Sequence, residues 1–182
     1  MKTVKFVASV AIALLVSTGM AQEAKFGTKP VLTRAIAKQL AAAILKAACK
    51  TTLPPGERPV VKNGVEGDCI GAVAIADDTG TVIYLETLDG TQSPSVTMAL
   101  EKAKTAALWK RSTDTFHEAV QTGKNMSYLD GSFPLTSAPG GEPLYLGNDC
   151  VGGLGFSGQE PKNVMPAAMA EWHKITGGRD QG

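Results

Sequence analysis

The chain has 182 residues, of which 43% are hydrophobic and 19% charged, and its formal net charge is +1. This length supports a single domain with a well-formed core. The balanced charge lacks the basic excess that nucleic-acid binding requires, so we expect no nucleic-acid partner.

The first 21 residues have the pattern of an export signal. Two lysines open the segment, an apolar run from Phe6 to Val16 follows, and small residues precede a cleavage position after Ala21. The alternative is a membrane anchor, but the apolar run is shorter than the roughly 20 residues of a spanning helix. We therefore predict a signal peptide over 1–21 and a single mature domain over 22–182. The location is periplasmic or secreted, without membrane attachment after cleavage.

An amphipathic first helix is predicted over Leu32 to Lys50, where apolar residues recur at helical spacing. A β-hairpin follows, with strands over Cys69 to Ala76 and Thr81 to Thr87 joined by the turn DDTG. The first of these strands is apolar on both faces and rich in alanine. We therefore expect it at the centre of a sheet, closely covered on each side.

Three cysteines in an exported chain indicate one disulfide and a spare thiol. Cys49 ends the first helix and Cys69 opens the first strand, so this pair is our disulfide candidate. Cys150 then stays free or pairs between chains. Since spacing does not establish connectivity, three reduced and buried thiols remain the alternative.

The second helix begins at Ser93, which we expect as its N-cap, with Pro94 at the first helical position. Its apolar stripe consists mainly of small side chains, which predicts close approach to the sheet. The stripe contains Val96, Ala99, Leu100, Ala103, Ala106 and Ala107. After the basic turn KRST, a third, short helix is predicted over Asp114 to Thr122, closed by Gly123.

The segment after Gly123 is predicted to be a long loop, and long ordered loops in small domains are often functional. A second hairpin is predicted with strands over Pro143 to Leu146 and Cys150 to Phe156, and a final helix over Pro166 to Ile175. The order α, ββ, αα, ββ, α indicates an α+β domain. A central antiparallel sheet then carries helices on its faces.

Four blocks in this order resemble one known family: IADDTGTVIYLETLDG, ALEKAKTAALWKRST, PGGEPLYLG and VGGLGFSG. The chain resembles the GlcG/HbpS-like family of extracellular haem-binding proteins over nearly all of its mature length. The resemblance implies a profilin-like fold with a sheet of about five strands. It also implies assembly as a homo-oligomer and binding of haem or a related tetrapyrrole.

The candidate haem site follows the second helix. Haem iron accepts histidine, methionine, tyrosine or cysteine as axial ligand, in an apolar slot with cations near the propionates. His117, one of two histidines, stands beside the aromatic Phe116 and shortly after the basic pair Lys110 and Arg111. This stretch therefore offers a ligand for the haem iron, an aromatic wall and two propionate partners. The alternative is that His117 is a solvated surface residue.

Three further residues complete the candidate set. The resemblance assigns Thr113 a haem contact, although a threonine before Asp114 is also an ordinary helix N-cap. Met126 and Tyr128, in the loop beyond the third helix, are the next candidate ligands. The other histidine, His173, is expected at the surface or in an oligomer contact.

Three functions stay open. The first is an exported protein that binds haem or a related tetrapyrrole for sensing, storage or protection. The second is a small accessory factor or enzyme of metabolite catabolism, and the third is an oligomeric assembly module with a vacant pocket. The segment GLGFSG formally matches GxGxxG, but we predict no helix directly after it, and no catalytic motif is present. The sequence therefore favours a binding protein over an enzyme and assigns no catalytic residue.

Overall fold

The computed structural model describes residues 28–49, 61–62, 65–66, 69–124, 135–158 and 161–180. The described residues form four helices and six strands. The helices are α1 (Arg34–Ala48), α2 (Ser93–Trp109), α3 (Thr113–Gln121) and α4 (Pro161–Thr176). The strands are β1 (Val61–Lys62), β2 (Val65–Glu66), β3 (Gly71–Asp77), β4 (Val82–Thr87), β5 (Gly141–Leu146) and β6 (Asp149–Gly158).

The central sheet has the strand order β4-β3-β6-β5, and every pairing in it is antiparallel. The predicted α+β architecture with a central antiparallel sheet is confirmed. The sheet has four strands in the described part of the chain, where about five were predicted. The short pair β1–β2 forms a separate two-stranded sheet between α1 and β3, where no strand was predicted.

Strand β3 separates two packing layers, as its apolar character on both faces predicted. Because successive side chains of a strand point to opposite faces, its residues divide by alternation. Val73 and Ile75 join the larger core cluster with residues of α1 and α4. Ala72, Ala74 and Ala76 join the smaller cluster with the alanines of α2.

The glycines of β6 bring α2 unusually close to the sheet. A Cβ atom added at Gly155 would lie 2.5 Å from the backbone nitrogen of Ala103 and closer still to the carbonyl oxygen of Ala99. At Gly153, an added Cβ would lie 2.5 Å from the backbone nitrogen of Ala107. The alanines of α2 and the glycines of β6 therefore form one contact, in which the backbones of the helix and the strand touch.

Two predicted helix starts differ from the structure. The N-cap of α2 is Gln92 rather than Ser93, and its side chain makes no capping hydrogen bond. Helix α4 begins at Pro161, five residues before the predicted start, and Pro166 lies inside it. Proline is tolerated in the first turn of a helix because the amide groups there have no intrahelical acceptor, so the sequence alone predicts a helix start at Pro166.

The covalent and membrane-related features complete the fold. Cys49, the C-cap of α1, is joined to Cys69 by a disulfide, and Cys150 is free and buried. No helix in the described ranges is long and apolar enough to cross a membrane. The predicted signal peptide lies outside the described residues.

Candidate functional site

The candidate stretch begins at a tight turn between α2 and α3. Lys110 adopts a left-handed conformation with φ +53° and ends α2, and its carbonyl oxygen accepts a 3.0 Å hydrogen bond from the Tyr145 hydroxyl. Ser112 is the N-cap of α3, where its Oγ accepts a 3.1 Å hydrogen bond from the backbone N–H of Asp114. The side chains of Lys110 and Arg111 are exposed. This turn therefore presents two cations to solvent at the start of α3.

Thr113 and Phe116 point into the protein. Thr113 is fully buried at the first position of α3, so the cap is Ser112 and not Thr113. The Thr113 Oγ1 accepts a 2.9 Å hydrogen bond from the backbone N–H of Gly141. Phe116 is buried and meets Trp109 edge to face, with ring centroids 5.9 Å apart. Thr113 therefore holds α3 against the start of β5, and Phe116 holds it against the end of α2.

His117 flanks this buried face of α3. Its side chain is half-buried, and helical spacing places it on the same side of the helix as Asp114, three residues earlier. Side chains on a helix lean toward its N-terminus, so the imidazole leans toward the turn that carries Asp114. Of the two histidines in the sequence, His117 is the one within the candidate stretch.

A groove lies beside the start of α3, where Asp114 lines it and Thr113, Phe116 and His117 do not, and we call it the α3–α4 groove. It encloses about 380 Å³ between the start of α3, the approach to β5 and the first half of α4. The residues that line it are Asp114, Pro139, Gly140, Glu142, Met165, Pro166 and Met169. Apart from Asp114 and Glu142, the lining is apolar or glycine.

The α3–α4 groove carries an unusual carboxyl group. Burial raises the pKa of Glu142, and the nearby negative charge of Asp114 raises it further. A 2.9 Å hydrogen bond donated by the Ser112 hydroxyl to Glu142 Oε1 acts in the opposite direction. The groove therefore favours a more neutral Glu142 than an exposed glutamate would be.

The sequence analysis missed most of the groove. Glu142 lies in the block PGGEPLYLG, which contributed to the family resemblance but was given no chemical role. Met165 lies before the predicted start of α4, so its position on a helix beside Met169 was not foreseen. A methionine pair spaced by four residues is the signal that would have indicated an apolar helix face.

The remaining candidates lie elsewhere. Met126 and Tyr128 are outside the described residues. His173 is an exposed residue of α4, and its Nδ1 lies 2.7 Å from Asp180 Oδ1. Within the described ranges, no group of three or more His, Cys, Asp or Glu residues is arranged to hold a metal ion. Haem bound through a single axial ligand does not require such a cluster of residues.

The sequence between 58 and 171 matches the family model described as haem degrading protein HbpS-like, and this match covers more than half of the chain. The chain belongs to the HbpS-like family. The predicted GlcG/HbpS-like relationship is thereby confirmed. The HbpS-like chain is 33% identical to Protein GlcG of Escherichia coli K12 over 86 residues, which are 47% of this chain. It spans 63% of the length of that curated relative, slightly less than two thirds.

Solved structures share the HbpS-like fold. A Klebsiella pneumoniae protein, ORFY, superposes with a TM-score of 0.65 at 22% identity, over 82% of this chain and 93% of that one. The PduOC:heme complex gives 0.60 at 24% identity, over 77% and 91% of the two chains. A double mutant of Streptomyces reticuli HbpS gives 0.60 at 21% identity, over 90% and 98%. At these identities the comparison establishes the fold.

Proposed function

We propose that this HbpS-like chain binds haem or a related tetrapyrrole at the α3–α4 groove, with His117 as the axial ligand of the iron. The observation that carries the proposal is the half-buried His117, which follows Asp114, the α3 residue that lines the groove, by about one helical turn. The family description names haem, and the related PduOC structure is a heme complex. When bound, haem would supply an iron centre with an axial position for an imidazole nitrogen.

The residues of the groove fit a flat, largely apolar ring. Met165 and Met169 provide polarisable, adaptable side chains, and Pro139 and Pro166 provide rigid apolar surface. The Asp114 and Glu142 carboxyl groups disfavour the close approach of anionic propionates. We therefore expect the propionates to lie toward the exposed cations of the α2–α3 turn, Lys110 and Arg111.

We further propose that the protein is exported and acts in sensing, storage or protection of haem, as a homo-oligomer. The disulfide between Cys49 and Cys69 supports export, because such bonds persist in oxidising compartments and are rare in the cytosol. Cell fractionation tests the location, and light scattering of the purified mature chain tests the assembly. Recovery of unprocessed protein in the cytosol would overturn the export proposal.

A hemin titration tests the binding proposal. We expect a saturable Soret band with the wild type, and a shifted band with at least about tenfold weaker binding for His117→Ala, since an axial bond to iron is lost. His173→Ala is the matched control, because it removes the other histidine outside the groove. Absence of a saturable band in the wild type would overturn haem binding. Identical spectra for wild type and His117→Ala would overturn only the ligand assignment.

A further inference from the structure

One wall of the α3–α4 groove is a stretch of chain without regular secondary structure. Residues 135–140 lead into β5, and Pro139 and Gly140 of this stretch line the groove together with Glu142. Such a wall keeps a fixed shape only when its backbone polar groups are held by fixed partners. The hydrogen bonds of residues 136–141 therefore decide how rigid the groove is. We call these six residues the wall segment.

Two buried threonines hold the ends of the wall segment. Thr105, in the C-terminal half of α2, is fully buried, and its Oγ1 accepts a 3.0 Å hydrogen bond from the backbone N–H of Thr136. Thr113 is also fully buried, and its Oγ1 accepts from the backbone N–H of Gly141 over 2.9 Å. One hydroxyl comes from α2 and the other from α3, so the segment is tied to both helices.

The interior of the wall segment is also held. The backbone N–H of Ala138 donates to Thr136 Oγ1 over 3.2 Å, and the Gly140 carbonyl accepts from the backbone N–H of Phe156 over 2.9 Å. Gly140 has φ +105°, a backbone conformation that residues other than glycine rarely adopt. The segment is therefore tied to the rest of the protein at Thr136, Gly140 and Gly141, and one further hydrogen bond lies within it.

The wall segment packs especially tightly at Gly141, where it meets Thr113. A Cβ atom added there would lie 2.7 Å from Thr113 Cγ2 and 2.8 Å from the carbonyl oxygen of Lys102. The start of α3, where Asp114 enters the groove and His117 follows one turn later, thus packs directly against the start of β5. Any shift of the wall segment changes the distance across the groove.

We propose that Thr105 and Thr113 form a clamp that sets the shape of the α3–α4 groove, and that ligand affinity depends on this clamp through the wall segment. Thr105 and Thr113 are positioning residues, because they act through Thr136 and Gly141 and are not among the residues that line the groove. The dependence of affinity on the clamp rests on the proposed function, whereas the rigidity of the wall segment does not.

The test uses Thr105→Val, which keeps the shape of the side chain and removes the acceptor for the N–H of Thr136. Since a half-buried donor is then left without its partner, we expect hydrogen exchange at the Thr136 amide to accelerate by roughly tenfold. Hemin affinity should fall by a similar factor, with the Soret band altered in shape. Thr105→Ser, which keeps the hydroxyl, should restore both, and Thr113→Val should act likewise at Gly141.

Thr176→Val is the matched control, because Thr176 is a buried threonine of α4 whose hydroxyl bonds to the His173 carbonyl, away from the groove. It should leave exchange at Thr136 and hemin affinity unchanged. Normal hemin binding and unchanged exchange in Thr105→Val and Thr113→Val would overturn the clamp. If the wild type bound no hemin, the proposed function and the clamp's part in affinity would both fall. Faster hydrogen exchange at the Thr136 and Gly141 amides in Thr105→Val and Thr113→Val would then still support a rigid wall segment in the wild type.

Discussion

The ε-ammonium group of Lys102 donates a 2.9 Å hydrogen bond to the carbonyl oxygen of Phe156, near the end of the β5–β6 ladder. Lys102 is 4% exposed, and no other charged residue in the described part of the chain is classed as buried. Burial lowers its pKa from 10.5 to about 8, although the negative charge of Asp114 acts to raise it. The protein therefore keeps a charge inside its α2 layer at neutral pH.

This lysine predicts a stability gain at alkaline pH. Because its pKa is lower in the folded state, the unfolded chain binds more protons between pH 8 and pH 10.5, and the free energy of unfolding rises through that window. The gain relative to Lys102→Met should reach up to about 3 kcal/mol. Urea denaturation of both proteins at pH 7, 8, 9 and 10 measures the difference.

The matched control for Lys102 is Lys104, two residues along α2. Lys104 is half-buried and its Nζ lies 3.1 Å from Glu101 Oε1. Because Lys104→Met keeps Lys102, its free energy of unfolding should still rise above pH 8. A constant difference between wild type and Lys102→Met across the four pH values would contradict a lowered pKa at Lys102.

The contact between α2 and β6 leads to a second prediction. Gly155→Ala places a Cβ atom against the backbone of Ala99 and Ala103, where no side chain can move aside, so we expect a loss of roughly 3 kcal/mol or more. Gly123→Ala is the control, since nothing lies within 4 Å of an added Cβ there and only its φ of +74° costs about 1 kcal/mol. Thermal and urea unfolding compare the two variants. Similar stability losses would contradict the close contact.

This contact also shows what the sequence could predict about the fold. The alanines at helical spacing in α2 predicted its close approach to the sheet, and the glycines in β6 are the sequence feature that permits this approach from the other side. The buried Lys102 and Thr105 were not predicted, because a lysine and a threonine on an amphipathic helix normally face solvent. Their partners are a carbonyl of β6 and an amide of the wall segment. These partners are distant in sequence, so no local pattern identifies them.

The candidate site was predicted only in part for a related reason. The stretch from Lys110 to His117 is local, so its turn, its short helix and its exposed cations followed from the sequence. The opposite wall of the groove comes from β5 and α4, which approach α3 only through the fold. Side-chain direction was a second obstacle, because Thr113 and Phe116 carry binding chemistry but point into the protein.

The disulfide gives a third prediction. Cys49 and Cys69 are 20 residues apart, and a cross-link that closes a loop of this size should stabilise the fold by about 3 kcal/mol. The double variant Cys49→Ser, Cys69→Ser should lose this amount in urea unfolding. The oxidised wild type should show one reactive thiol, and only after unfolding, because Cys150 is buried. Three reactive thiols in the unfolded, non-reduced protein would rule the bond out.

Glu142 gives the last prediction, which concerns acid pH. Burial raises the pKa of its carboxyl group, so the folded state binds more protons than the unfolded state as pH rises from 4.5 through the raised pKa. The free energy of unfolding should therefore fall over that window in the wild type relative to Glu142→Gln, which cannot ionise. Asp114→Asn should weaken the effect, since the charge of Asp114 also raises this pKa. Urea unfolding between pH 4 and pH 8 measures the free energy of unfolding of the wild type, Glu142→Gln and Asp114→Asn. A wild type that gains stability relative to Glu142→Gln as pH rises would show that the Ser112 hydrogen bond, and not burial, controls this carboxyl group.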